Sequence, residues 1–386
     1  MLKNKKIAIV LFNLGGPQNL EAVKPFLFNL FNDHAIISLP QPLRFLLAKF
    51  ISARREKKAR KIYEQIGGKS PILEITSAQA NSLEKELSFF GNFKVFIAMR
   101  YSQPNARDAI EKIADFGPDQ IILLPLYAQF STATTDSSFD DFSQELHKFL
   151  ANSYNKKNGG FFKKLTGNFS KKSRNAPIVK KICCYFEEEN FILSHAKLIR
   201  QKLLESNLNL SEIRILFSAH GLPQKLIDGG DPYVFQITKS AQRILEKLRE
   251  ILQKDGFFAD DFEKKIDHII CYQSKVGPLK WTSPSLEQEI RRVALDNKNP
   301  LIVPIAFVSE HSETLVELDI EYKELADKLL IKKYLRVPAL NVDGHFIDSL
   351  ALMCRKVCTQ DGEIFSGCDS KRACLSEFKR CVNSNC

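Results

Sequence analysis

The stretch "ILFSAHGLPQK", residues 215–225, opens as an apolar strand and stops on a histidine followed by a glycine. A short run of Ile, Leu and Phe without polar alternation is the pattern of a strand buried on both faces, and such strands belong to parallel sheets. In open parallel sheets ligands bind outside the carboxyl ends of the strands, where the strand order reverses. His220 is therefore expected where the fold does chemistry. A lone imidazole serves equally well as a hydrogen-bonding partner of a neighbouring loop, so this run alone leaves both readings open.

Working outward, "KIAIVLFNLGG" (6–16), "QIILLPLYAQFS" (120–131) and "PLIVPIAFVSEH" (300–311) repeat the pattern. Weaker versions lie at 93–104, 177–186 and 265–277. Helical periodicity fills the intervals at 72–89, 105–116, 191–206 and 232–252. Strands alternating with helices at this spacing predict an α/β fold with parallel sheets and right-handed crossovers. At 386 residues the chain exceeds what one core organises, which predicts two such domains.

The formal charge of +11 is not a property of the fold. Ten Lys or Arg and no acid lie between Lys148 and Lys181, leaving the rest near +1. Residues 150–176 read as a flexible basic connection, and no nucleic-acid partner is implied. A second basic stretch, "RFLLAKFISARREKKARK" (44–61), interleaves eight cations with Phe45, Leu46, Leu47, Phe50 and Ile51. That is the composition of a helix that lies on an anionic membrane, or of a solvated helix packed on its own domain. The apolar run 7–12 is too short for a signal segment, and no run reaches transmembrane length. With nine cysteines, an odd number, the expectation is thiols or metal ligands in a reducing, cytoplasmic setting.

Other expected strand ends carry Asn13, the Gly15-Gly16-Pro17 turn, Arg100-Tyr101, Gln273-Ser274-Lys275 and Ser309-Glu310-His311. The glycine turn lacks the spacing that cradles phosphate. After the strand at 301–308, with Ser309 as the expected cap, Glu310, Glu313, Glu317, Glu321 and Glu324 recur so that one helix carries an acidic stripe, with no basic partner before Lys323. Such a stripe is either a solvated face or a path whose first member, Glu313, meets His220. Carboxylate plus imidazole suits a divalent first-row ion and suits proton abstraction.

"ILFSAHGLP" (215–223), "GDPY" (230–233), "CYQSKVGPLKW" (271–281) and "VPIAFVSEHSETLVELDIEY" (303–322) together resemble ferrochelatases, the terminal enzymes of haem synthesis. "LFNLGGP" (11–17), "YEQIGGKSPI" (63–72), "AMRYSQP" (98–104) and "LPLYAQFSTATT" (124–135) continue the likeness in family order. The resemblance implies two Rossmann-like, doubly wound domains of chelatase type with a porphyrin cleft between them. It implies boundaries at 1–176 and 177–334, a closing helix at 335–353 packing on the first domain, and a cysteine-rich tail at 354–386.

It also implies that Fe2+ is inserted into protoporphyrin IX, with His220 as proton acceptor or metal ligand and Glu313 as its partner. Glu317 and Glu321 then continue an acidic path, while Arg55, Tyr63, Ser70, Arg100 and Tyr101 contact the porphyrin. A neutral imidazole with a pKa near the working pH is the acceptor this chemistry asks for. Some members carry a [2Fe–2S] cluster, and Cys368, Cys374, Cys381 and Cys386 supply four thiolates. Their spacing is not the animal pattern, and Thr132 stands where animal members have an upstream cysteine, so a cluster and a reduced tail both remain open. The expected protein is a monomer or homodimer, with peripheral contact to the inner face of an anionic membrane. The alternatives are a chelatase for another tetrapyrrole or metal, or a porphyrin carrier without catalysis.

Overall fold

The computed structural model describes residues 5–155, 177–256, 266–275, 277, 279–369 and 371–383. Two compact units divide the chain: Met1–Tyr185 with Leu350–Leu375 and Val382–Cys386, and Phe186–Ser349 with Ser376–Cys381.

In the first unit, β1 (Lys6–Asn13) is paired on both sides within a parallel sheet. β2 (Asn92–Met99) lies on one side of it, and on the other lie β3 (Gln120–Pro125), β4 (Ile178–Cys184) and β9 (Ile364–Ser366). Residues 7–11 are wholly buried, as are Ile122 and Leu124 of β3. This explains why both segments read as unbroken apolar runs rather than alternating ones. The helix Ala106–Phe116 follows a capping box made by Asn105 and Asp108 and ends on Gly117, so both ends are written in the sequence. In the "NLGGP" turn, a Cβ on Gly16 would stand 2.5 Å from the Cβ of Ser70, which leaves glycine as the residue that fits.

The second unit repeats the plan. β5 (Ile213–His220) is flanked by β6 (His268–Gln273) on one side and by β7 (Asn299–Pro304) and β8 (Leu335–Arg336) on the other, all parallel. The order reverses between β5 and β7, which makes the carboxyl ends of those two strands the switch point of this sheet. The fold class is therefore α/β with two parallel sheets, and each of the seven apolar runs forms a strand.

Four expectations about organisation are corrected. The boundary expected at 176/177 falls too early, because β4 pairs with β3 in the first sheet and the second unit opens at Phe186. The boundary expected at 334/335 also moves, because β8 lies in the second sheet; the helix Gly344–Thr359 passes from one unit to the other at Leu350. Of the expected flexible connection 150–176, residues 150–155 continue the helix Ser137–Asn155, and 156–176 lie outside the described residues. Part of the expected tail is ordered into the first sheet as β9, three residues too short to show a pattern in sequence.

Candidate active site

β5 delivers His220 to the carboxyl edge of the second sheet, in register with Gln273 at the end of β6. Gly221 follows because the chain must approach its neighbour closely: its N–H donates to the carbonyl of Gln273 at 2.9 Å, and a Cβ would meet that oxygen at 3.0 Å and the Trp281 ring at 3.3 Å. The His220 Nδ1 lies 2.6 Å from the carbonyl oxygen of Gly221. A carbonyl only accepts, so Nδ1 carries the proton and the tautomer is set by the backbone. Nε2 is then the nitrogen presented to the site.

Opposite it stands Glu313, on the short helix Ser312–Leu315 that follows β7. Its Oε1 is 3.6 Å from His220 Nε2 and its Oε2 is 3.5 Å from His311 Nε2. His311 Nδ1 donates to the carbonyl of Ser309 at 3.0 Å, so both imidazoles are oriented in the same way, by a backbone oxygen behind them. His311 is the site residue that sequence reasoning named at a strand end but did not select; its signal was position, two residues before a glutamate in the same loop. It is also the helix cap in place of the expected Ser309, with its N–H donating to Thr314 Oγ1 at 3.0 Å.

The His220 and Glu313 side chains are 35 and 29% exposed, so a reactant can reach both. Burial pulls the His220 pKa down, but the adjacent Glu313 charge and contact raise it further, to about 9. Burial pushes the Glu313 carboxyl up, and His220 and His311 overcome this and hold it well below the usual carboxylate range. Where the sequence led to the expectation of a neutral imidazole, the carboxylate 3.6 Å away favours a proton on the ring.

The acidic stripe is also rearranged. After Val316 the chain forms a π turn, Glu317–Glu321, before α-helix resumes at Tyr322. The expected single α-helical face is therefore broken by the wider turn. Glu310 lies before the helix, where Arg336 Nη1 donates to it at 2.6 Å. Arg336 also forms a two-pronged contact with Asp319, so this arginine is the basic partner that the local sequence did not reveal. Glu317 accepts from Gln273 and Ser274, and burial followed by the charge of Glu313 raises its pKa. Glu321, last in the turn, is exposed. Among the described residues no group of three or more His, Cys, Asp or Glu is spaced to hold a metal ion as it stands.

The remaining expected residues lie in the first unit. Arg100 and Tyr101 are brought together on Asp33: its Oδ2 accepts from Tyr101 Oη at 2.7 Å and from Ser137 Oγ at 2.6 Å, and pairs with Arg100 Nη2 at 2.9 Å. Arg100 further pairs with Asp141 at 3.4 Å. Arg55 lies over the Phe31 ring, 5.7 Å from its centroid, and has no carboxylate partner among the described residues. Tyr63 is buried, and Ser70 packs on the glycine turn. In the tail, Cys374 and Cys381 are buried and Cys368 is half-buried, while Cys386 lies outside the described residues. Cys183, Cys184 and Cys271 are buried within strands, as expected of small apolar residues.

The coupled pair makes a measurable prediction. In a proton NMR titration the His220 ring is expected to titrate near pH 9, and Glu313→Gln is expected to lower that midpoint by about one unit or more, since burial then acts with less opposition. Equal midpoints in the two proteins contradict the pairing.

Residues 6–357 match the family model described as Ferrochelatase. The chain is 46% identical over 385 residues to the ferrochelatase of Rickettsia bellii (strain OSU 85-389), covering 99% of this chain and 96% of that one. It is 47% identical over 353 residues to the ferrochelatase of a Wolbachia from Drosophila simulans (strain wRi), covering 90% and 98%. Among solved structures it is similar to SirB from Bacillus subtilis with Fe3+, at 12% identity and a TM-score of 0.45 over 92% of this chain and 96% of that one, a likeness too distant to bear on the assignment. The family match and the full-length identities place the chain in the ferrochelatase family, the enzymes that insert iron into a porphyrin in haem synthesis.

Proposed function

We propose that this chain inserts Fe2+ into protoporphyrin IX, with His220 and Glu313 as the pair that handles the metal and the protons. The observation that carries this reading is the opposition of His220 Nε2 and the Glu313 carboxylate at the switch point of the second sheet. Insertion exchanges two pyrrole N–H protons for one Fe2+. The two nitrogen lone pairs so released join the other two in binding the ion, and no electron changes hands. An acceptor is needed for the protons and an anionic group for the incoming cation. Glu313 beside it draws the acceptor toward its protonated form. A cation arriving at Glu313 would weaken the hold on that proton, which would leave by way of Glu317 and Glu321 to solvent, so that Nε2 is free to take a pyrrole proton. Metal arrival and proton acceptance are thereby coupled through one 3.6 Å contact. Glu317 and the exposed Glu321 continue the acidic side of the site as a path for metal entry or proton exit. Arg55, Tyr63, Ser70, Arg100 and Tyr101 are assigned to the porphyrin, with Arg55 the cation among them that has no carboxylate partner in the described residues.

The helix Gln41–Glu64 buries only Ala48, Ser52 and Tyr63. Leu43, Phe45, Leu46 and Phe50 are exposed on it, and Ile36 and Leu39 are exposed just before it. One side of the helix packs on the helix Val23–Phe31, with Phe45 edge-on to Phe28, and the apolar side chains left exposed beside eight cations favour a membrane-surface contact for the rest. No helix among the described residues is long and apolar enough to cross a membrane, so the contact proposed is peripheral. For the tail, the support for a [2Fe–2S] cluster is limited to the number of thiols and the burial of Cys374 and Cys381.

Three outcomes follow. His220→Ala is expected to lower iron insertion by about a hundredfold or more while porphyrin binding, read by fluorescence quenching, stays near wild type; turnover within a few-fold of wild type sinks the role. Leu46→Asp with Phe50→Asp is expected to abolish co-sedimentation with anionic lipid vesicles, and unchanged sedimentation removes the membrane reading. Protein purified without oxygen is expected to show visible absorption in addition to any porphyrin if the tail holds a cluster, whereas colourless protein with nine titratable thiols excludes one.

A further inference from the structure

One buried side chain connects every element that carries the proposed pair. Gln273 ends β6 and is 1% exposed. Its Oε1 accepts from Ser218 Oγ at 2.7 Å, two residues before His220 on β5. Its Nε2 donates to the carbonyl of Glu313 at 2.8 Å and to Glu317 Oε2 at 3.1 Å. Its own carbonyl accepts from Gly221, immediately after His220, at 2.9 Å. The strand that delivers the imidazole and the segment that delivers the carboxylate are thus bonded to the same residue. An amide suits the place because it accepts on one side and donates twice on the other without adding charge. A carboxylate there would face Glu317 with two like charges.

The next residue extends the arrangement. Ser274 lies in the left-handed region at φ +64°, a conformation a serine adopts at a cost. In that conformation its N–H donates to Glu317 Oε1 at 2.8 Å and its hydroxyl to Glu317 Oε2 at 2.5 Å. From the far side, Tyr334 Oη donates to the carbonyl of Leu318 at 2.7 Å, and Arg336 holds Asp319. The first three residues of the π turn are each tethered, with Gln273 and Ser274 on the side nearest His220.

We propose that Gln273 is a positioning residue for metal insertion: it sets the separation of His220 and Glu313 and, with Ser274, aims Glu317, without touching substrate itself. The inference rests on the reading of His220 and Glu313 as the reacting pair. Its burial keeps it from contact with porphyrin or iron, so its effect must pass through the groups it holds. A displacement of the order of 1 Å between reacting groups is enough to cost about a hundredfold in rate.

The test uses the full-length protein with protoporphyrin IX and Fe2+ under anaerobic conditions. Gln273→Glu preserves the shape and removes the donors facing Glu313 and Glu317, while Glu317→Gln supplies an amide that reverses the second contact. Gln273→Glu is expected to lower kcat by about tenfold or more with the porphyrin KM within about twofold of wild type. In the double variant, the loss is expected to be smaller than the product of the two single losses, because the contact to residue 317 is re-formed while that to the Glu313 carbonyl is not. Losses that multiply in the double variant, or a Gln273→Glu enzyme with wild-type kcat, overturn the proposal. If Gln273→Glu does not fold, Ser274→Gly decides: it removes the hydroxyl donor and relieves the backbone, and it is expected to slow the wild type yet leave the Glu317→Gln enzyme unchanged. Equal slowing in both backgrounds overturns the proposal. Failure of the underlying reading is distinguishable, because then His220→Ala itself turns over normally.

Discussion

A strand held on both sides by parallel neighbours must deliver its last residue to the carboxyl edge of its sheet, and where neighbouring connections leave in opposite directions that edge stays open. β5 is such a strand. Its fully buried residues Leu216, Phe217 and Ser218 fix the strand in the core, and His220 is where that core ends. β7, its neighbour across the switch point, ends in the loop that carries His311 and Glu313. The apolar content of two strands therefore places an imidazole and a carboxylate within ion-pair distance, although they lie far apart in sequence.

What this juxtaposition does depends on the groups behind it. Each imidazole is turned by a backbone carbonyl, so that both Nε2 atoms face one carboxylate. Around Glu313 the balance of charge then favours a bound proton on His220 in the absence of any other cation. The π turn contributes by widening the helix just where Glu317 must reach back to Gln273 and Ser274.

Much of this was legible in the chain. The buried strands announce themselves because they pack on both faces, and the helix Ala106–Phe116 announces itself through its caps. His220 and Glu313 were legible from strand-end position together with family motifs. The short strands β8 and β9 were not, since two or three residues carry no period and owe their form to the sheet edge they join. The π turn was hidden because its bonding skips one residue further than the α-helical spacing assumes. Arg336 was hidden for a different reason: it reaches Glu310 and Asp319 from 26 and 17 residues away, a distance no local pattern spans. The pull of Glu313 on the His220 proton is a property of the pair and not of the residue, so no single position announces it.

The central claim is that this chain catalyses metal insertion rather than only holding a tetrapyrrole. Its most direct test is to add Fe2+ without oxygen to protoporphyrin IX and a sub-stoichiometric amount of the protein, following loss of porphyrin fluorescence and growth of haem absorption against a boiled control. The account predicts many turnovers per protein molecule. Porphyrin binding with no insertion beyond the control would contradict it and point to a carrier.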